Sequence, residues 1–380
     1  MIIITYNHNK STGVGGIQTL IRNLQDIAGS INAGAVEIYH DLYGSEYFHK
    51  RPNVEYQKVS RWKFTPWKIG SVINRLRVHH RLLKMKPGMN DWLIIFQPNS
   101  LFLIPRSVAR STRIILVQSN KLEFLYDSPV ARMAMLLKGR HVDIHTVYTE
   151  MDKTKLQRTL PSFRDRIAII PRGCKLPTRN TTATCSKRLV TIARLEERQK
   201  NFKAMIDVFN LLPHGYTLDI YGDGAPQEKE ALIRLVAEHP SIHFRGPVKD
   251  VGTVLRQYAL FLMTSHYEGF GQTLIEARSQ GLPIIAFDTF DALPWIVQDG
   301  CNGFIVSPDD KAGFAQRIQT LTTDTALYER LSQCALLLAR ETEAGIINRQ
   351  WQNLLLNCEQ PLTHSRTDPE PHPHRHSATS

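Results

Sequence analysis

Residues 260 to 306 constrain the fold more than any other part of the chain. Leu260 to Met263 is a short apolar run, which predicts a strand buried on both faces. The turn His266-Tyr267-Glu268-Gly269-Phe270-Gly271 follows, with two glycines. Gln272 to Gln280 predicts a helix with Leu274, Ile275 and Arg278 along one face, ended by Gly281 with Pro283 just beyond. Ile284 to Phe287 predicts a second strand. Strand, glycine turn, helix, strand is one βαβ unit, so this part of the chain builds a parallel sheet.

The chemistry of such a unit lies at its turn. A helix that begins just past glycines presents unpaired N–H groups and a partial positive charge, a natural phosphate site. Here those groups belong to Phe270, Gly271, Gln272 and Thr273. Glu268 in the turn and Glu276 eight residues later flank the site with two carboxylates.

The motif EGFGQTLIEARSQGLPIIAFD, with DGCNGFIV after it, resembles the Glu-x7-Glu signature of retaining glycosyltransferases of family 4. The resemblance implies a GT-B architecture: α/β, with two Rossmann-like domains facing a cleft. It covers roughly residues 10 to 355 and is strongest over 189 to 306. It implies transfer of a hexosyl unit from a nucleoside diphosphate sugar to a sugar acceptor, with retention, in lipopolysaccharide, capsule or exopolysaccharide synthesis. Glu268 would contact the transferred sugar and stabilise its developing positive charge. Glu276 would hold the donor ribose hydroxyls. In TIARLEERQKNF, Arg194-Leu195 and Lys200-Asn201 resemble the family's cationic loop, and two cations suit a diphosphate whose charge grows as the glycosidic bond breaks. Gly15-Gly16, between a first strand and a helix, resembles the family's Gly-Gly facing the donor diphosphate, although alone such a pair is more often a turn. Pro171-Arg172-Gly173 resembles the family's Pro-Asn-Gly turn with Arg in place of Asn. Gln118-Ser119-Asn120 stands where relatives often carry a histidine facing the acceptor, which places Gln118 and Asn120 on the acceptor side and argues against a histidine-assisted mechanism. A departing phosphate oxygen is then the candidate to take the acceptor proton. The chain has no Asp-x-Asp, the carboxylate clamp of metal-dependent sugar transferases. The expectation is therefore no metal and no cofactor, with the nucleotide sugar as substrate.

The rest of the chain fits two domains. Its 380 residues, 42% hydrophobic and 22% charged, suffice for two sizeable cores. Strand and helix patterns alternate from Ile2 onward. A polar, threonine-rich stretch at 177 to 187 reads as a linker, and a second alternating series starts at Leu189. The expected division is an acceptor-binding domain over 1–176 and a nucleotide-sugar domain over 187–340. A helix over 341–358 would cross back to the first domain, and 359–380 would form a disordered tail. The start, MIIITYNHN, lacks the basic flank of a signal peptide, and no run reaches the roughly 18 apolar residues of a membrane span. Five scattered cysteines without a Cys-x-x-Cys pair suggest a reducing compartment and no zinc site.

The net charge of +12 favours an anionic partner, and its sign alone does not choose among nucleic acid, membrane and phosphorylated substrate. Residues 50–86 hold eleven Lys or Arg against one acid, with Trp62, Phe64 and Trp67 among them. Aromatic rings beside cations suit an anionic membrane surface, so the expectation is a cytoplasmic enzyme peripheral on the inner membrane, acting on a glycan or lipid-linked acceptor and not on nucleic acid. Two alternatives are a GT-B nucleotide-sugar epimerase and a polyanion-binding protein that uses the 50–86 segment.

Overall fold

The computed structural model describes residues 1–13, 15–40, 48–59 and 67–357. The expected tail, and Trp62 and Phe64 of the basic stretch, lie outside the described residues, as does the side chain of Trp67. Two parallel sheets organise the chain. The first has seven strands: β1 (Ile2–Asn7), β2 (Gly34–His40), β3 (Val54–Val59), β4 (Trp92–Ile95), β5 (Arg113–Val117), β6 (Ile144–Val147) and β7 (Ile167–Ile169). Their spatial order is β3-β2-β1-β4-β5-β6-β7. The second has six: β8 (Arg188–Ile192), β9 (Thr217–Tyr221), β10 (Ile242–Gly246), β11 (Leu260–Met263), β12 (Ile284–Phe287) and β13 (Gly303–Val306). They run in the order β10-β9-β8-β11-β12-β13.

The central strands are short and apolar because helices cover both faces of each sheet. β4, β11 and β12 are buried along their whole length. Each order reverses direction once, between β1 and β4 in the first sheet and between β8 and β11 in the second. In an open parallel sheet, ligands bind in the crevice beyond the carboxyl ends of the strands at such a reversal.

Two chain crossings lie side by side between the sheets. The Cys174 N–H donates to Thr342 O at 2.7 Å and the Ala344 N–H to Cys174 O at 3.1 Å. Beyond them the Ala344–Leu356 helix lies on the first sheet's side. Its Trp351 is 1% exposed in the same apolar cluster as Trp92, whose indole N–H donates to Leu355 O at 3.1 Å.

The cysteine reading needs correction. Cys301 and Cys334 form a disulfide, with Cα atoms 5.8 Å apart. The Thr325–Ala339 helix folds back beside the 298–303 turn, a proximity that a separation of 33 residues conceals. Cysteine usage therefore gives no support for a reducing compartment. The basic stretch also holds a strand, β3, in addition to the expected helix, found at Trp67–Met85.

Candidate active site

The loops leaving β8 and β11 meet where the second sheet reverses. Thr264 Oγ1 donates to Lys200 O at 3.2 Å and to Asn201 O at 3.0 Å, and the His266 N–H donates to Gln199 O at 2.8 Å, so the two loops are tied together. Lys200 Nζ reaches Glu268 Oε1 at 2.5 Å, with the two side chains only 13% and 12% exposed. Ser265 Oγ donates to the same oxygen at 2.8 Å. Lys200, Ser265, Glu268 and Thr273 line one small recess with Thr191 and Thr264. Arg194 is different: it is 61% exposed and bonds Glu196 at 2.8 Å and Gln199 at 3.0 Å, at the rim.

Gly271 stands at φ 91°, a left-handed conformation that glycine adopts without strain, and opens the Gln272–Ser279 helix with no side-chain cap. The uncapped N–H groups and the helix dipole then face the recess side of the turn. One helical turn on, Glu276 takes a single long contact from Gln272 Nε2 at 3.5 Å, and burial pushes its carboxyl up to about 7.

The first sheet contributes the opposite wall. Gly269 is pressed against the turn after β5: a Cβ there would lie 3.1 Å from Ser119 O and 3.2 Å from Asn120 Cα, so a larger residue would push the two domains apart by a few tenths of an ångström. Asn120 accepts the Lys121 N–H at 2.9 Å beside that contact. Phe270 is buried between the domains, its ring 5.0 Å from Tyr148 and 6.0 Å from Trp295. Gln272 Nε2 donates to Gly173 O at 3.1 Å. Farther along the same rim Lys155 Nζ bonds Asp291 at 2.7 Å and also pairs with Glu123, Lys121 Nζ donates to Thr289 O at 3.0 Å, and Phe124 meets Tyr267 edge-on at 4.9 Å.

Gln118 does not line this cleft. It is 1% exposed, and its amide donates to Asp152 Oδ1 at 3.0 Å and accepts the Tyr148 N–H at 3.3 Å. Both polar ends of the Gln118 side chain, expected on the acceptor side, are engaged inside the first domain. Gly15 and Gly16 cap the Gly16–Ser30 helix beyond β1, at the reversal of the first sheet. The structure thus brings Lys200, Glu268 and Thr273 into one recess, sets Gln272 and Glu276 on the helix that Gly271 opens beside it, and leaves Arg194 at the edge. Sequence reasoning assigned no role to Tyr148, whose ring meets Phe270 across the cleft, or to Arg172, which holds the Tyr148 hydroxyl, although Arg172 in place of asparagine was a visible signal. Among the described residues no three His, Cys, Asp or Glu side chains converge as a metal site.

Residues 186–324 match the family described as glycosyl transferases group 1. An exopolysaccharide phosphotransferase of Streptomyces coelicolor is 28% identical over 62% of this chain and 25% of its own length. The amylovoran biosynthesis glycosyltransferase AmsD of Erwinia amylovora is 29% identical over 44% of this chain and 48% of its own. The chain therefore spans between a quarter and about half the length of these relatives. Among solved structures, TarM superposes with a TM-score of 0.75 at 13% identity, covering 93% of this chain and 98% of its own. The pneumococcal O-GlcNAc transferase GtfA, in complex with UDP and GlcNAc, superposes with a TM-score of 0.72 at 16% identity over 93% and 98%. The fold is GT-B, α/β with two Rossmann-like domains.

Proposed function

We propose that this protein is a glycosyltransferase that moves a hexosyl unit from a nucleoside diphosphate sugar to a glycan acceptor, with retention of the anomeric configuration, in the synthesis of a bacterial surface polysaccharide. One observation carries the reading: the buried Lys200–Glu268 pair stands at the mouth of an uncapped helix, with Glu276 on that helix. Lys200 and the helix N–H groups supply positive potential for a departing diphosphate. Glu268, held by Lys200 and Ser265, supplies negative potential for the sugar as its anomeric carbon becomes cationic. Glu276 accepts hydroxyls of the nucleotide's ribose. Gly15 and Gly16 approach the phosphates from the first domain, and the contacts at Gly269 and Phe270 exclude water as the domains close. The AmsD relative and the UDP complex of GtfA point the same way. The test is release of nucleoside diphosphate from a panel of UDP-, GDP- and ADP-hexoses with glycan acceptors. Lys200→Ala is expected to lower donor kcat/KM by a factor of ten or more, roughly 1.5–3 kcal/mol, and EDTA to leave turnover intact. Turnover that requires an added divalent metal would overturn the metal-free form of the proposal. Turnover of no donor would overturn the proposal itself.

The acceptor side of the reading places the reaction at the cytoplasmic face of the inner membrane. No described helix is long and apolar enough to cross a bilayer, so attachment would be peripheral. The Trp67–Met85 and Pro129–Lys138 helices contain no acidic residue. Both pack on the Pro98–Leu103 turn, His79 Nδ1 meeting Leu103 O at 3.2 Å and Lys138 Nζ donating to Ile104 O at 3.1 Å. Leu76 is 62% and Leu136 is 85% exposed, with Met133 and Leu137 also in water, and Arg75, Arg81, Lys84 and Arg132 are exposed on the same two helices. Exposed apolar side chains on helices that carry cations and no acid suit an anionic lipid surface, each cation contributing about 1 kcal/mol near it. Co-sedimentation with phosphatidylglycerol vesicles at low salt is expected for wild type and reduced for Leu76→Gln/Leu136→Gln/Leu137→Gln. Equal sedimentation of both proteins would overturn this attachment and favour a soluble acceptor.

A further inference from the structure

Arg172 is 7% exposed, bonds two parts of the first domain, and reaches the second domain's wall through one of them. Its Nη1 donates to Gly16 O at 2.5 Å. Its Nε and Nη2 donate to the Tyr148 hydroxyl oxygen at 3.1 and 2.8 Å. That hydroxyl in turn donates to Gln118 O, and the Tyr148 ring packs on Phe270. The residue after it, Gly173, accepts the hydrogen bond from Gln272. One guanidinium therefore ties the Gly15–Gly16 turn of the first domain, through Tyr148, to the Phe270 turn of the second. An asparagine, two carbons long at this position, is too short to span from the Pro171–Gly173 turn to both partners.

The charge of this group is as informative as its bonds. Among the described residues no carboxylate pairs with Arg172. A buried guanidinium with neutral partners is costly, and an anion close by offsets that cost. The Gly16–Ser30 helix begins at Gly15 (φ 149°) with no side-chain cap, so its first N–H groups are left for a ligand. A Cβ on Gly16 would stand 4.0 Å from Arg172 Nη2, which puts the cation beside that helix terminus.

We propose that Arg172 is a positioning residue for the donor diphosphate. It draws the Gly16 carbonyl back so that the first N–H groups of the Gly16–Ser30 helix face the phosphates, and it seats Phe270 through Tyr148 when the domains are closed. Its charge, unmatched by a carboxylate, adds to the potential at the same place. This inference rests on the donor reading above, and the experiment separates the two.

Affinity for UDP and GDP is measured by calorimetry at 20 °C for wild type, Arg172→Lys, Arg172→Met and Arg172→Asn, with the ligand-free melting temperature of each and the kcat and KM for the donor that wild type turns over. Arg172→Met and Arg172→Asn are expected to bind the preferred nucleotide at least tenfold more weakly and to lose kcat as well as donor affinity. Arg172→Lys, which keeps the charge and loses the fork of bonds, is expected to recover part of the nucleotide affinity and little of the kcat. A melting temperature lowered in all three variants, with nucleotide affinity and kcat unchanged in the folded protein, would overturn the proposal and leave Arg172 as a packing residue. Equal affinity of wild type and Arg172→Met overturns it while the donor reading stands. Failure of wild type to bind either nucleotide overturns both.

Discussion

Glu276 shows at the scale of one residue how burial and ligand chemistry meet. Its carboxyl is pushed up to about 7 by desolvation, against 4.5 for the free group. The sign follows from the disfavoured ion: the contribution of Glu276 to stability is most favourable below 4.5 and falls as pH rises from there through about 7. In the proposed role, donor hydroxyls that hydrogen-bond to the carboxylate would reverse the preference, and donor binding is then expected to strengthen as pH rises through the same range. Between pH 6 and 8, donor kcat/KM is expected to rise about tenfold in wild type, and Glu276→Gln to be weaker throughout and flat. Parallel profiles for the two proteins would remove Glu276 from donor binding. Glu268 and Glu276 share one loop–helix unit, so the sequence already set them on neighbouring turns, whereas Lys200 meets Glu268 from the loop after β8, 68 positions away, and was singled out by resemblance. Gln118 was not legible, because its direction is set by Tyr148 and Asp152, residues 30 and 34 positions away.

At the scale of elements, the second domain was the more legible. β11 and β12 lie where their apolar runs predict, and the helix between them, Gln272–Ser279, lies within its expected span. β3 escaped notice because it is an edge strand with only Gln57 and Val59 of its six residues buried, so VEYQKV carries no apolar run. The Pro129–Lys138 helix buries Ala131, Ala134 and Met135 and exposes its leucines, the reverse of what hydrophobic periodicity suggests. The Ala344–Leu356 helix anchors to the first sheet through Trp351 in the Trp92 cluster. Trp351→Ala is expected to cost about 3–5 kcal/mol in urea unfolding, with release of this helix. A loss below about 1 kcal/mol would mean that the cluster collapses around the gap or that the helix adds little.

At the scale of the molecule, two sheets that each reverse once bring their strand ends to one cleft, and the alternating pattern on either side of residues 177–187 made that architecture readable. The closure was not readable, because it depends on pairs such as Lys155–Asp291 and Tyr148–Phe270 that join residues more than a hundred positions apart. Those contacts accompany a close approach of the Glu268–Gly269 turn to Ser119 and Asn120. Retention then requires the acceptor hydroxyl to attack from the side that the diphosphate leaves. The decisive measurement is the proton NMR coupling of the anomeric proton in the product, formed from a nucleoside diphosphate hexose that the wild-type protein consumes. The expected result is a new glycosidic bond with the anomeric configuration of the donor. A product of the opposite configuration would contradict the roles given to Glu268, Lys200 and the departing phosphate.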